Sequence, residues 1–138
     1  SLHIVGPERI KSVDIKTLPF PGFPTDMQSQ MMALLTLAYG TGVIVENVFE
    51  NRLLVANELN RMGARIKVEG HMAIVQGVPF LNGVSVKAPD LRSGAALILA
   101  GLAARGTTEI YNLGVIDRGY LNVEEKLHRL GADIKRID

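Results

Sequence analysis

The chain repeats itself, and that repetition limits its folds more than any other feature. Asp26, Met27 and Ser29 recur as Asp90, Leu91 and Ser93. Arg52 recurs as Arg118, and Arg61-Met62-Gly63-Ala64 recurs as Arg129-Leu130-Gly131-Ala132, at offsets of 64, 66 and 68 residues. Self-similarity at a nearly constant period marks one supersecondary unit used twice, so whatever the first half builds the second half builds too. The two copies are expected at about 11–77 and 82–138, within a single domain spanning 1–138.

Local signals give the order of elements in each copy. In the first, 11–17 alternates polar and apolar side chains as a strand with one wet face does. Pro19, Pro21 and Pro24 then withhold backbone donors, so 18–24 reads as a stiff, irregular lead-in. A helix is predicted over 26–39, with Thr25 and Gln28 spaced as a capping box and Gly40 and Gly42 as its stop. A strand over 43–48, a second helix ending at Met62, and a hairpin of 65–69 with 72–76 complete the copy. The second copy predicts a strand at 84–88, a helix over 91–104 and a strand at 107–112. A loop at 116–119, a helix to about Leu130 with Val123, Leu127 and Leu130 inward, and a last strand at 133–137 follow.

The layers follow from polarity. MMALLTLAY and AALILAGLAA are apolar nearly all round, and a helix without a polar face has to be enclosed by protein. The strands offer Lys11, Asp14, Lys16, Arg65, Lys67 and Glu69 to water, so the sheet keeps one exposed face. The expected architecture is α/β with the usual order inverted: buried helices within, sheet outside, in repeated βαβαββ units. The second helix of each unit carries charges and is expected to be half-buried.

A net charge of +1 on 138 residues gives no electrostatic footprint for nucleic acid or a membrane surface, and no apolar run reaches the length of a membrane span. There is no cysteine, which removes disulfides and thiolate metal ligands. His3, His71 and His128 show no ligand spacing and are expected on the surface or on strands. The chain opens at Ser1, without Met, directly into the apolar stretch 2–5, and is expected to be a piece of something longer.

Because the units repeat, equivalent loops should gather at one end, bringing together two carboxylates at helix starts, Asp26 and Asp90, and two loop arginines, Arg52 and Arg118. Arg92, at the start of the second apolar helix, needs a carboxylate partner or a bound anion. Two readings stay open for Arg52, Arg92 and Arg118. They are either internal pairs with Asp26, Asp90 or Asp117, or an anion site in which guanidinium forks and helix N-termini clamp phosphate or carboxylate. Asp26 by itself reads as a carboxylate that caps the helix start, and its reading as a group that orients a ligand needs more than this stretch. No Walker loop, GxGxxG, HExxH or Ser-His-Asp spacing is present.

The segments PFPGFPTDMQSQ, FENR, RMGA, APDLRSGAALILAGLAARGTTEI and IDRGY with LGA, in that order, resemble the C-terminal part of the UDP-N-acetylglucosamine 1-carboxyvinyltransferase family, from about residue 10 onward. These enolpyruvyl transferases open bacterial peptidoglycan synthesis. The resemblance implies an inside-out α/β barrel of enolpyruvyl transferase type, of which this chain would hold two units of a three-unit domain. It implies transfer of the enolpyruvyl group of phosphoenolpyruvate to a sugar 3-hydroxyl by addition and elimination, with release of phosphate, no metal and no cofactor.

By the same resemblance, Asp26 is the substrate-binding carboxylate and proposed base. Val48 is the sugar-nucleotide contact and Arg118 binds phosphoenolpyruvate. Arg52 and Arg92 are further cations, with Asp90 beside them. A carboxylate is too weak a base to ionise a sugar hydroxyl in a separate step, so Asp26 is expected to orient the hydroxyl and take its proton only in the transition state.

The family's mobile-loop cysteine or aspartate, and the lysine and arginine that complete its phosphoenolpyruvate site, belong to an N-terminal domain absent from this sequence. The chain alone is therefore expected to be inactive, with an uncovered sheet edge or helix face and either marginal stability or self-association. Cytoplasmic residence follows from the implied substrates. The alternatives are an enolpyruvyl transferase with another acceptor, of shikimate 3-phosphate type, which the PGFPTD segment argues against, and a non-catalytic anion-binding repeat module.

Overall fold

A computed structural model describes residues 1–137. Two short βαβ passages organise the molecule. In the first, β1 (Ile15–Lys16) runs parallel to β2 (Thr41–Val45) with α1 (Gln28–Leu35) between them. In the second, β5 (Ser85–Lys87) runs parallel to β6 (Glu109–Tyr111) with α3 (Leu91–Ala103) between them. After β2 come α2 (Val55–Arg61) and the hairpin of β3 (Arg65–Glu69) and β4 (Met72–Gln76), whose bounds agree with the sequence pattern. The hairpin returns β4 antiparallel to β2, giving a four-stranded sheet of order β1-β2-β4-β3, separate from the β5-β6 pair. After β6 the chain forms α4 (Leu113–Asp117) and α5 (Val123–Arg129).

The expected inversion of layers is present. The two most apolar helices, α1 and α3, pack on each other, and α2 and α4 close against α3. Met32, Leu35, Ile44, Leu59, Met62, Leu81, Leu97 and Ile116 are fully buried among them, each worth about 1.5–3 kcal/mol of removed apolar surface. The enclosure is incomplete: Leu34 on α1 and Leu99 and Leu102 on α3 remain 48%, 46% and 40% exposed. No closed barrel forms among the described residues. Gly94 lets α3 and α4 approach, since a Cβ there would collide with Ile116 Cγ1. Gly119 lets the loop after α4 lie on the Leu91 side chain at the start of α3.

Several expectations are corrected. The capping box does not form: the chain enters α1 through a 3-10 turn, Thr25–Met27, whose N-cap Pro24 makes no side-chain bond. Thr25 and Gln28 donate instead to the buried carboxylate of Glu46, a charged acceptor that binds their hydroxyl and amide donors strongly. The first α-helix ends at Leu35, because the next turn tightens through Leu37 N–H to Leu34 O and Ala38 N–H to Leu35 O. Tyr39 N–H then leaves to bond Ile10 O.

Of the strand expected at 11–17, only Ile15–Lys16 pairs as one, with isolated bridges at Lys11 and Thr17. The loop expected at 116–119 begins inside α4. Leu130, expected inward, is 84% exposed. The last expected strand, 133–137, pairs with no other strand among the described residues. A clamp holds it instead: Arg136 binds Asp117 through both terminal nitrogens, at 2.8 and 3.1 Å, and Glu124 at 3.0 and 3.2 Å.

Candidate active site

Asp26 lies on the 3-10 turn that the proline-rich lead-in delivers to α1, and its carboxylate is two-thirds exposed. It caps nothing. Arg92 Nε, from the first turn of α3, donates to Asp26 Oδ1 at 2.6 Å. Arg52 Nη1 stands 3.7 Å from the same oxygen. Of the two readings for the arginines, internal pairing therefore holds for two of the three, and both choose the same carboxylate. Asp90 does what Asp26 does not: it caps α3, accepting from Ser93 N–H and Ser93 Oγ–H, both at 2.9 Å. Asp117 is occupied by Arg136, which holds its carboxyl below the usual range by direct hydrogen bonding.

Arg118, at the C-cap of α4, is exposed and makes no side-chain hydrogen bond or ion pair among the described residues. Its neighbour Gly119 rests on Leu91, so the loop borders the start of α3 from which Arg92 reaches Asp26. Arg52 also stacks on Phe49, its guanidinium carbon 4.4 Å from the ring centre. Its Nη1 is buried yet makes no hydrogen bond among the described residues, and a buried cationic donor in that condition favours an added acceptor. Among the described residues, the arrangement therefore offers one fixed carboxylate, two guanidiniums already paired to it and a third, Arg118, paired to nothing.

Val48, Phe49 and Arg52 line an open groove of about 720 Å³ between the loop after β2, the start of α2 and the turn of the β3-β4 hairpin. Asn57, Gly70 and His71 line it as well, which gives exposed His71 a place at its wall. Asp26 stands beside this groove, joined to it by Arg52.

One residue of the site escaped the sequence reading. Glu46, at the end of β2, is 3% exposed. Its Oε2 accepts from Thr17 Oγ–H at 2.8 Å, Val48 N–H at 3.0 Å and Phe49 N–H at 3.2 Å, and its Oε1 from Thr25 Oγ–H at 2.8 Å and Gln28 Nε–H at 3.3 Å. Burial pushes its carboxyl up, but the bonds from Thr25, Val48, Thr17 and Phe49 together outweigh burial and hold it below the ordinary value. The signal was available: Glu46 is two residues from Ile44 in an alternating strand, hence on the same, inward face.

Comparison with known proteins agrees with this architecture. The sequence pattern of EPSP synthase (3-phosphoshikimate 1-carboxyvinyltransferase) matches residues 2–127. A UDP-N-acetylglucosamine 1-carboxyvinyltransferase of Desulfofundulus thermocisternus is 65% identical over 127 residues, 92% of this chain and 52% of that one. UDP-N-acetylglucosamine 1-carboxyvinyltransferase 1 of Caldanaerobacter subterraneus subsp. tengcongensis is 60% identical over 135 residues, 98% of this chain and 32% of that one. The chain thus spans only about a third to a half of these relatives. The enolpyruvyl transferase NikO from Streptomyces tendae superimposes with a TM-score of 0.84 at 34% identity, over 93% of this chain and 30% of that structure. Fold, order of elements and sequence concur that this chain belongs to the EPSP synthase (3-phosphoshikimate 1-carboxyvinyltransferase) family.

Proposed function

We propose that this chain is part of a transferase that moves the enolpyruvyl group of phosphoenolpyruvate to the 3-hydroxyl of UDP-N-acetylglucosamine, in peptidoglycan synthesis. The observation that carries the reading is the convergence of Arg92 and Arg52 on Asp26 beside the Val48 groove, together with relatives of 53–65% identity bearing that acceptor in their names. In this reading the acceptor lies along Val48 with its 3-hydroxyl on Asp26. The phosphate and carboxylate of phosphoenolpyruvate face Arg118 and the free donors of Arg52 and Arg92. The sugar oxygen bonds to C2 of phosphoenolpyruvate as Asp26 takes its proton and C3 gains a proton to become a methyl group; loss of phosphate from C2 and of a proton from C3 then re-forms the double bond. Asp90 acts by fixing the start of α3, and through it Arg92.

Groups from an N-terminal domain of the same polypeptide complete the site, so the 138 residues alone do not turn over. Among the described residues no helix is long and apolar enough to cross a membrane, and a nucleotide-sugar substrate puts the enzyme in the cytoplasm. The test is phosphate release by the natural full-length enzyme, with phosphoenolpyruvate and either UDP-N-acetylglucosamine or shikimate 3-phosphate. Release with the first acceptor alone is expected. Release with shikimate 3-phosphate alone supports the other acceptor class. Binding of anions without release supports a non-catalytic module. Either of these results overturns the proposal.

A further inference from the structure

We infer that Glu46 is a positioning residue that sets Asp26 and the Val48 loop in register with each other. The inference rests on the functional reading above. A buried carboxylate without a cationic partner is costly unless hydrogen bonds satisfy it. All five donors to Glu46 are neutral, and they come from three stretches of chain: Thr17 after β1, which also bonds Asn47 directly, Thr25 and Gln28 around the 3-10 turn, and the amides of Val48 and Phe49. Thr25 immediately precedes Asp26. Gln28 Nε2 also donates to Arg52 O at 3.0 Å, so the same carboxylate reaches the backbone of the loop arginine through one side chain. No donor comes from α3 or from the Arg118 loop. Glu46 therefore governs the acceptor side of the site and leaves the Arg92 and Arg118 side to other contacts.

Glu46→Gln separates positioning from simple structural support. The amide oxygen of Gln can still accept from Val48 and Phe49, and the Thr25 hydroxyl can turn to accept. Gln28 cannot satisfy both neighbours: turning its oxygen toward the new NH2 places that oxygen against Arg52 O. The fold survives while the link to Arg52 is lost.

The experiment compares wild type, Glu46→Gln and Glu46→Asp in the natural full-length enzyme, with kcat, both KM values and Tm. For Glu46→Gln a rise of about tenfold in KM for UDP-N-acetylglucosamine and a fall of about tenfold in kcat are expected, with KM for phosphoenolpyruvate within about twofold. Glu46→Asp should recover part of the loss. Unchanged kinetics overturn the inference. So does lower kcat with both KM values unchanged and a lower Tm, which is what a smaller folded fraction gives. If the wild-type enzyme does not turn over this pair, the functional reading fails. Hydrogen exchange then decides the inference: faster exchange of the Val48 and Phe49 amides in Glu46→Gln, whose neutral acceptor is weaker than a carboxylate, with the β3-β4 amides unchanged, sustains it, and uniform exchange overturns it.

Discussion

Arg92 Nε and Asp26 Oδ1 meet at 2.6 Å across 66 residues of sequence, joining the start of α3 to the turn before α1. The two residues occupy neighbouring positions in the repeated pattern, since Asp26 corresponds to Asp90 and Arg92 lies two residues beyond it. One copy thus spends its helix-start carboxylate on a cap, while the other leaves its carboxylate two-thirds exposed between two arginines. An exposed ion pair contributes about 0–1 kcal/mol, too little to explain the arrangement as a stabilising device. Asp26→Asn should therefore change the free energy of urea unfolding by less than about 1 kcal/mol. In the full-length enzyme it should lower kcat by about 100-fold or more, the usual contribution of a positioned acid-base group. Turnover within about threefold of wild type would remove Asp26 from the chemistry.

Glu46 makes a prediction about acid stability. Its carboxyl lies below the ordinary value of 4.5 in the folded protein, burial opposing and the Thr25, Val48, Thr17 and Phe49 bonds prevailing. The folded state then favours the charged form, so the contribution is fully present above about pH 4.5 and is lost as pH falls through the folded value. Urea unfolding between pH 7 and pH 3 should show a fall in stability that Glu46→Gln reduces. Glu46→Ala, which strands two backbone amides, should cost about 3 kcal/mol at pH 7. An acid limb identical in wild type and Glu46→Gln would contradict this.

How much of this was legible in the sequence varies with the kind of interaction. The β3-β4 hairpin was readable because alternation and Gly70 are local signals. The inward helices were readable because α1 and α3 have no polar face to offer. What failed was decided at a distance. Thr25 and Gln28 have the spacing of a cap, yet a buried carboxylate 21 and 18 residues away claims both. The stretch 133–137 alternates like a strand, but a strand needs an edge, and Arg136 instead finds Asp117 and Glu124. At the candidate site the residue types were legible and their partners were not: nothing local says that Arg52 and Arg92 share Asp26.

Gly94 sets two local effects against each other. In a helix interior Ala is favoured over Gly by about 1 kcal/mol, so Gly94→Ala would ordinarily stabilise α3. Here the added Cβ collides with Ile116, which is 1% exposed and enclosed in the core. Overpacking of this kind costs about 1–3 kcal/mol, so the clash wins and Gly94→Ala should lower stability. Ile116→Ala removes the Cγ1 and Cδ1 atoms that the new methyl would strike, and the double variant should lose less than the sum of the two single changes, by about 0.5 kcal/mol or more. Strict additivity would mean that α4 simply moves away, which would displace Arg118 and, under the role proposed for it, be visible as a raised KM for phosphoenolpyruvate.

The exposed flanks of α1 and α3 lead to the last prediction. Leu34, Leu99 and Leu102 lie on the two helices that form the centre of the fold, yet each keeps 40% or more of its surface in water. Scattered exposed leucines are ordinary on a protein surface, but three on the central pair of packed helices leave apolar area where this architecture otherwise encloses it. With the chain spanning about a third to a half of its relatives, that area is expected to be covered in the full-length enzyme by further chain. The 138-residue chain alone should self-associate. Sedimentation at rising concentration should show mass above that of the monomer, and Leu99→Glu, which places a charge in the flank, should shift the chain toward monomer. The same substitution in the full-length enzyme should lower Tm, because there the charge would be buried without a partner. If Leu99→Glu left both the association of the chain and the Tm of the full-length enzyme unchanged, these helices would face water in both.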